Sequence, residues 1–370
     1  MSHELIAKLR AEEDRISKFG HVRPIIQTVF QGQRLVAVGH TLFYSPNWNT
    51  FIDFLFDYMK HILGLEWGRA EQVKPLAQRH PIMQWNDSVG RFTKSHPPGP
   101  DGICEATPDG PTQAYLALAY DLYVLKDHQL LQERLVQRLK HRDQFQGARY
   151  ELFVAASCIR ANYEIVYEDE ADPTVRHNEF VAVHRPTGQS VVVEAKSRHR
   201  VGVLGQPGEA EDPNRLRAGI SQLVRKALKK PAPHPRVIFI DVNFPPIRAL
   251  SGMPRWIPDA HNTLQRILRA EGGQSPWNLV FLTNHPYHYG PEGVSYPGEQ
   301  TAAHLPSQMK PPIAVKEALE ALIKAVEQFG KYPTSFPQEW EQEDIGSGSV
   351  ASRLAGDSSA ALSGEHTESD

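Results

Sequence analysis

The run Ser190-Val-Val-Val-Glu194-Ala-Lys196-Ser-Arg198 constrains the fold more than any other stretch, because consecutive valines bounded by polar residues read as a buried strand. Side chains alternate across a strand, so Glu194 and Lys196 share one face while Val191, Val193 and Ala195 take the other. An acid and a lysine side by side at a strand end suit a divalent cation and a polarised water. The same spacing also occurs as a simple ion pair on a solvated edge.

A second strand is expected over Asn178-Glu179-Phe-Val-Ala-Val-His184, joined to the first by Arg185-Pro186-Thr187-Gly188, where proline and glycine stand as a tight turn requires. With Pro186 and Thr187 as the central turn residues, Glu179 lies directly across from Glu194; a bulge at Gly188 would shift that register by one. Like charges opposed on a sheet are destabilising, so the pair calls for a cation or for the ammonium of Lys196. Upstream, Gln146 to Asn162 has helical spacing that places Glu151, Val154, Ala155 and Cys158 on one face, with Asn162 as a left-handed terminator before a strand at Tyr163-Glu-Ile-Val-Tyr167.

These residues resemble the PD-(D/E)XK nuclease superfamily, the restriction-endonuclease-like fold, over roughly Arg149 to Phe244. The resemblance rests on Glu151 in the first helix, an acid opening the second strand and Glu194-x-Lys196 on the third. The family's Pro-Asp is here Asn178-Glu179, with one more methylene before the carboxylate. It implies a core running helix, three strands, helix, strand, in which Glu179 and Glu194 hold Mg²⁺ (or Mn²⁺) and Glu151 is a further or water-mediated ligand. Lys196 then orients or deprotonates the attacking water, its pKa lowered beside the metal, and Gln222 on the following helix matches a glutamine that related nucleases carry. The implied activity is a Mg²⁺-dependent endonuclease hydrolysing DNA phosphodiesters, in restriction, phage defence or repair, acting alone or as a homodimer.

Net charge is −3, from 40 Lys and Arg against 43 Asp and Glu, so any nucleic-acid footprint must be local. Between Lys196 and Arg236, Arg198, Arg200, Arg225, Lys226, Lys229 and Lys230 outnumber Glu209, Glu211 and Asp212. A cationic stretch after the acidic site is where a phosphodiester backbone would be gripped without sequence preference. Two other readings stay open: a nuclease-like domain without catalysis, serving nucleic-acid binding or assembly, and a carboxylate pair for glycoside hydrolysis.

The fold class expected is α/β, a mixed sheet flanked by helices with a restriction-endonuclease-like core, preceded by a mostly helical N-terminal domain. The divisions are 1–145 helical, 146–335 nuclease-like and 336–370 a disordered tail rich in Ser, Gly and acids. In the first, a strand pair is expected around 25–29 and 34–38, a helix over Thr50–Leu63 ended by Gly64, and helices over Gln113–Lys126 and Gln129–Lys140. Further on, strands are expected at Pro235–Phe244 and Trp277–Thr283, and helices at Asp259–Ala270 and Val315–Phe329. No secretory or membrane-spanning stretch stands out, and the two cysteines lack CxxC spacing, which points to a cytoplasmic protein. His285 and His288, after the last expected strand, stand at i, i+3 as metal ligands could, but no Cys or third His at metal spacing stands nearby to complete a zinc site.

Overall fold

The computed structural model describes residues 3–100, 102–167, 179–204, 206–209, 211–212, 215–245, 253–285 and 300–337. Expectations placed on Asn178, on His288 and on the tail beyond Pro337 lie outside the described residues.

Ten α-helices, one short 3₁₀ turn at Leu76–Gln78 and nine strands are described. The chain opens with α1 (His3–Phe19) and a three-stranded antiparallel sheet, β1 (Ile26–Phe30), β2 (Gln33–Val38) and β3 (Thr41–Ser45). Then come α2 (Phe51–Leu63), α3 (Leu65–Gln72), α4 (Pro81–Ser95), α5 (Gly110–Asp127), α6 (Glu133–Lys140) and α7 (Arg142–Arg160). Helix α2 begins where Thr50 and Asp53 form a reciprocal capping box, and it ends at Gly64 with φ 86°. Helix α5 carries apolar side chains all round and is buried on nearly every face, as such a helix must be.

The main sheet has the order β4-β5-β6-β7-β8-β9. It comprises β4 (Tyr163–Val166), β5 (Phe180–His184), β6 (Gln189–Ser197), β7 (Arg236–Asp241), β8 (Leu279–Asn284) and β9 (Gln300–His304). Strands β4, β5 and β6 are antiparallel neighbours, β6, β7 and β8 run parallel, and β9 returns antiparallel. The parallel steps need crossovers, which α8 (Ser221–Leu228) and α9 (Trp256–Ala270) supply; α10 (Lys316–Val326) follows β9. The result is a mixed α/β fold with a six-stranded mixed sheet flanked by helices. Among the described residues no helix is long and apolar enough to cross a membrane.

Period-two alternation divides the sheet between two cores. Val191, Val193, Val237, Phe239, Leu279 and Phe281 face the α5, α7 and α10 side, whereas Ile238, Ile240, Val280 and Leu282 pack with Val224, Trp256 and Leu264 of α8 and α9. Residues Met1–Phe336 form one compact unit, and the first core runs without a break from Val22 through α2 and α5 to Phe329. Two details show how closely the N-terminal region seats on α7. Arg160 reaches Asp121 of α5 at 2.9 Å in full burial, and Gly20, at φ 79°, lies where a Cβ would come within 2.6 Å of the Arg160 Cβ. Only glycine meets both demands there.

Candidate active site at the β5–β6 strand ends

The β5–β6 hairpin carries the expected register. Phe180 pairs with Val193 and His184 with Gln189, so continuing the ladder by one residue sets Glu179 opposite Glu194. The turn holds that register because Gly188 adopts φ 67° and the amides of Thr187 and Gly188 both donate to the His184 carbonyl. Glu194 pairs along β7 with Ile238 and Lys196 with Ile240, which sets both on the α8–α9 face of the sheet.

At that face three oxygens converge on one ammonium. Lys196 Nζ donates to Glu194 Oε2 at 2.7 Å, to the Ala195 carbonyl at 2.9 Å and to Glu179 Oε1 at 3.0 Å. A second ammonium completes the group. Lys230, two residues beyond the end of α8, brings Nζ to 2.9 Å from Glu194 Oε1 and 3.6 Å from Glu179 Oε1. Glu194 Oε1, buried on the sheet, thus has the Lys230 ammonium as its close cationic partner, as Oε2 has Lys196. Glu194 has a side-chain exposure of 0%, against 17% for Lys196 and 18% for Lys230, so the charges compensate one another largely away from water.

The electrostatics follow from burial set against pairing. For Glu179 burial raises the pKa, but the Lys196 and Lys230 charges outweigh it and leave the carboxyl below its usual range. For Glu194 burial prevails, and the pKa is raised despite both lysines. Burial pulls Lys196 down, yet Glu179 and Glu194 overcome it and raise its pKa. With two carboxylates at hydrogen-bond distance and no metal beside it, the ammonium is the favoured form.

Glu151 stands at the rim of this group rather than inside it. It projects from α7, on the opposite side of the sheet, into a small cleft shared with Glu179, Tyr167 and Phe180. Arg138 of α6 takes both of its oxygens in a fork, at 2.5 and 2.8 Å. Burial raises the Glu151 pKa against the pull of Arg138, and the Glu179 charge raises it further. Among the described residues no group of three or more Asp, Glu, His or Cys gathers as a metal cage. The converging donor set consists of two carboxylates and one carbonyl.

The other sequence candidates are dispersed. Gln222 is exposed on α8, and Arg225, Lys226 and Lys229 are exposed on or just after the same helix. Arg200 donates to the carbonyls of Val242 and Arg217 and lies 4.2 Å over the Phe244 ring, a role in holding the 198–220 segment to the end of β7. Arg198 packs against Gly219, its Nε buried without a hydrogen-bond partner. Lys230, expected on a nucleic-acid surface, is instead turned into the carboxylates. Asp241 is fully buried and bound to Arg149 of α7 at 2.7 Å, the local pairing that a lone acid in an apolar strand requires. His285 is stacked on Phe329 and edge-on to Phe153, placed as an aromatic core residue.

Sequence reasoning missed two participants. Lys230 carried a signal, since it ends a basic run just past a helix that crosses over next to β6, but nothing local separates it from the exposed Lys229. Arg138 carried none, because its partner Glu151 lies on the next helix beyond a turn whose geometry the sequence leaves open. Compared with protein-family models, with curated proteins and with solved structures, the chain finds no match.

Proposed function

We propose that this protein is a divalent-metal-dependent nuclease of the PD-(D/E)XK kind, hydrolysing phosphodiester bonds of DNA. The observation that carries the reading is the convergence of Glu179 Oε1, Glu194 Oε2 and the Ala195 carbonyl on a single cation, the Lys196 ammonium. Hard oxygens gathered at one point are the donor chemistry that Mg²⁺ or Mn²⁺ prefers, and the second ammonium lying against the same carboxylates, Lys230, marks a place beside Lys196 where positive charge is favoured. The chain order α7-β4-β5-β6-α8-β7 also agrees with the helix, three strands, helix, strand expected of such a core.

Glu179 and Glu194 would hold the ion, with Glu151 reaching it through water from the rim. Bound there, Mg²⁺ would supply an acidified water and neutralise charge on the attacked phosphate. Lys196, hydrogen-bonded to both carboxylates, would orient or deprotonate the attacking water. Arg225, Lys226 and Lys229, exposed beside the site, grip the substrate backbone through its phosphates.

A second reading, a nuclease fold that binds or assembles without cutting, is favoured by one observation: Lys196 and Lys230 already neutralise Glu179 and Glu194. One experiment separates the two. Mn²⁺ is titrated into wild type and Glu194→Gln by calorimetry, and plasmid and oligonucleotide cleavage are assayed with Mg²⁺ in wild type and Lys196→Ala. The nuclease reading expects metal binding lost in the first variant and cleavage reduced about 100-fold or more in the second. Salt-sensitive DNA binding with neither metal binding nor cleavage would establish the assembly module instead.

A further inference from the structure

Glu179, Glu194, Lys196 and Lys230 form a quartet whose formal charges sum to zero. A divalent ion added to it without any departure would bring two uncompensated positive charges into a largely buried group, which is costly. One ammonium must therefore leave as a metal arrives, and the geometry distinguishes the two. Lys196 is fastened on three sides, to both carboxylates and to its own strand's Ala195 carbonyl. Lys230 has one close contact with the carboxylates, 2.9 Å to Glu194 Oε1, and stands 3.6 Å from Glu179 Oε1.

The backbone under Lys230 is fixed. Its amide donates to the Ala227 carbonyl and its own carbonyl accepts from Arg236 Nη2 at 2.7 Å, so departure requires only rotation of a flexible four-carbon stem. Its neighbour Lys229 is already exposed, so water lies close to the path that the ammonium would take.

We propose that Lys230 is a resident competitor for the divalent ion: it neutralises Glu194 in the metal-free protein, and its ammonium swings out of the carboxylates when metal binds. Released there, beside Arg225, Lys226 and Lys229, the ammonium joins the cations that face the substrate backbone. The inference rests on the metal-binding reading above and deepens it by naming the residue that sets metal affinity. It makes Lys230 a positioning residue whose first effect is on metal binding.

The test is calorimetric titration of Mn²⁺ into wild type, Lys230→Met and Lys230→Arg, with no nucleic acid present. Removing the competitor while keeping the apolar stem should tighten Mn²⁺ binding about tenfold, equivalent to about 1.4 kcal/mol. The arginine, which keeps the charge, should leave affinity at or below the wild-type value. Unchanged or weaker binding in a folded Lys230→Met would overturn the proposal.

Because that variant strips a buried carboxylate of one cation and its fold could suffer, wild type is also labelled by reductive methylation with and without saturating Mn²⁺ and mapped by mass spectrometry. Lys230 modification should rise several-fold with metal. Protection that is the same in both states overturns the proposal, while failure of wild type to bind Mn²⁺ at all overturns the metal reading beneath it.

Discussion

Arg138 closes its two terminal nitrogens on the two oxygens of Glu151, at 2.5 and 2.8 Å, and so ties α6 to α7 at the rim of the carboxylate group. The fork accounts for how an acid can stand on an otherwise apolar helix face with only 19% of its side chain exposed. Burial still raises the Glu151 pKa, so the folded state holds this proton at a pH where the unfolded chain has released it. Stability from this group therefore falls as pH rises above the ordinary carboxylate range, and Arg138 limits the fall.

Arg138→Met should steepen that dependence. With Arg138 itself 38% exposed, the loss at neutral pH is expected to be about 1 kcal/mol after solvent screening. It should shrink toward zero as Glu151 protonates in acid. Urea midpoints of the two proteins measured from pH 4 to pH 8 give the comparison, and a difference independent of pH would mean that Arg138 acts through packing alone.

Glu179 and Glu194 should respond very differently to loss of charge. Glu194 is fully buried against two ammoniums, so Glu194→Gln leaves both lysines short of a partner and should cost about 3 to 5 kcal/mol. Glu179 has a side-chain exposure of 23%, and its loss leaves Lys196 still bound to Glu194; Glu179→Gln should cost about 1 kcal/mol. Chemical denaturation ranks them, and adding Lys230→Met to Glu194→Gln should recover part of the loss. Equal costs for the two single variants would contradict the asymmetry of burial.

What the sequence disclosed and what it withheld divide along the range of the interactions. The opposition of Glu179 and Glu194 was legible because a four-residue turn fixes register locally, and Asn162, at φ 63°, was legible as a helix terminator for the same reason. Strands β3 and β9 and helix α3 were not anticipated, being short segments whose placement depends on what they pack against; α4, with Ile82, Trp85 and Val89 on one buried face, carried a helical spacing that was not read. Lys230 and Arg138 were invisible as site members, since each acts on a carboxylate held by another element. Asp241 and Arg149, 92 residues apart, were equally out of reach.

That last pair joins α7 to the end of β7, where Asp241 stands beside Ser197 of β6. Asp241 is fully buried and Arg149 nearly so, and Arg149 Nε has no hydrogen-bond partner. Asp241→Asn should therefore cost about 3 to 5 kcal/mol by leaving a buried guanidinium uncompensated. Replacing both together, as Arg149→Met with Asp241→Leu, should restore most of that stability, because the desolvation cost of two ions disappears with them. Thermal and urea unfolding of the single and double variants decide it; a double variant as unstable as the sum of the singles would show that the two side chains do not act as a neutralising pair.

Acid sensitivity should arise in part far from the carboxylates, at His80. This side chain is buried, edge-on to Trp67 and Phe145, and its Nδ1 accepts the Ile82 amide at the start of α4. Burial lowers its pKa from 6.5 to about 4, and Glu71, whose carboxylate accepts the His80 amide, opposes that only in part. The folded state thus keeps His80 neutral over a range where the unfolded chain takes up a proton. Its stabilising contribution is complete above pH 6.5, declines as pH falls, and is gone near pH 4, a span worth about 3 kcal/mol. Asparagine can cap α4 but cannot titrate, so His80→Asn should lose packing stability at pH 7 yet show a shallower decline between pH 6.5 and pH 4. The difference between the two stability curves isolates this group from the half-buried His128, whose pKa burial also lowers, and parallel curves would exclude His80 as an acid-sensitive element.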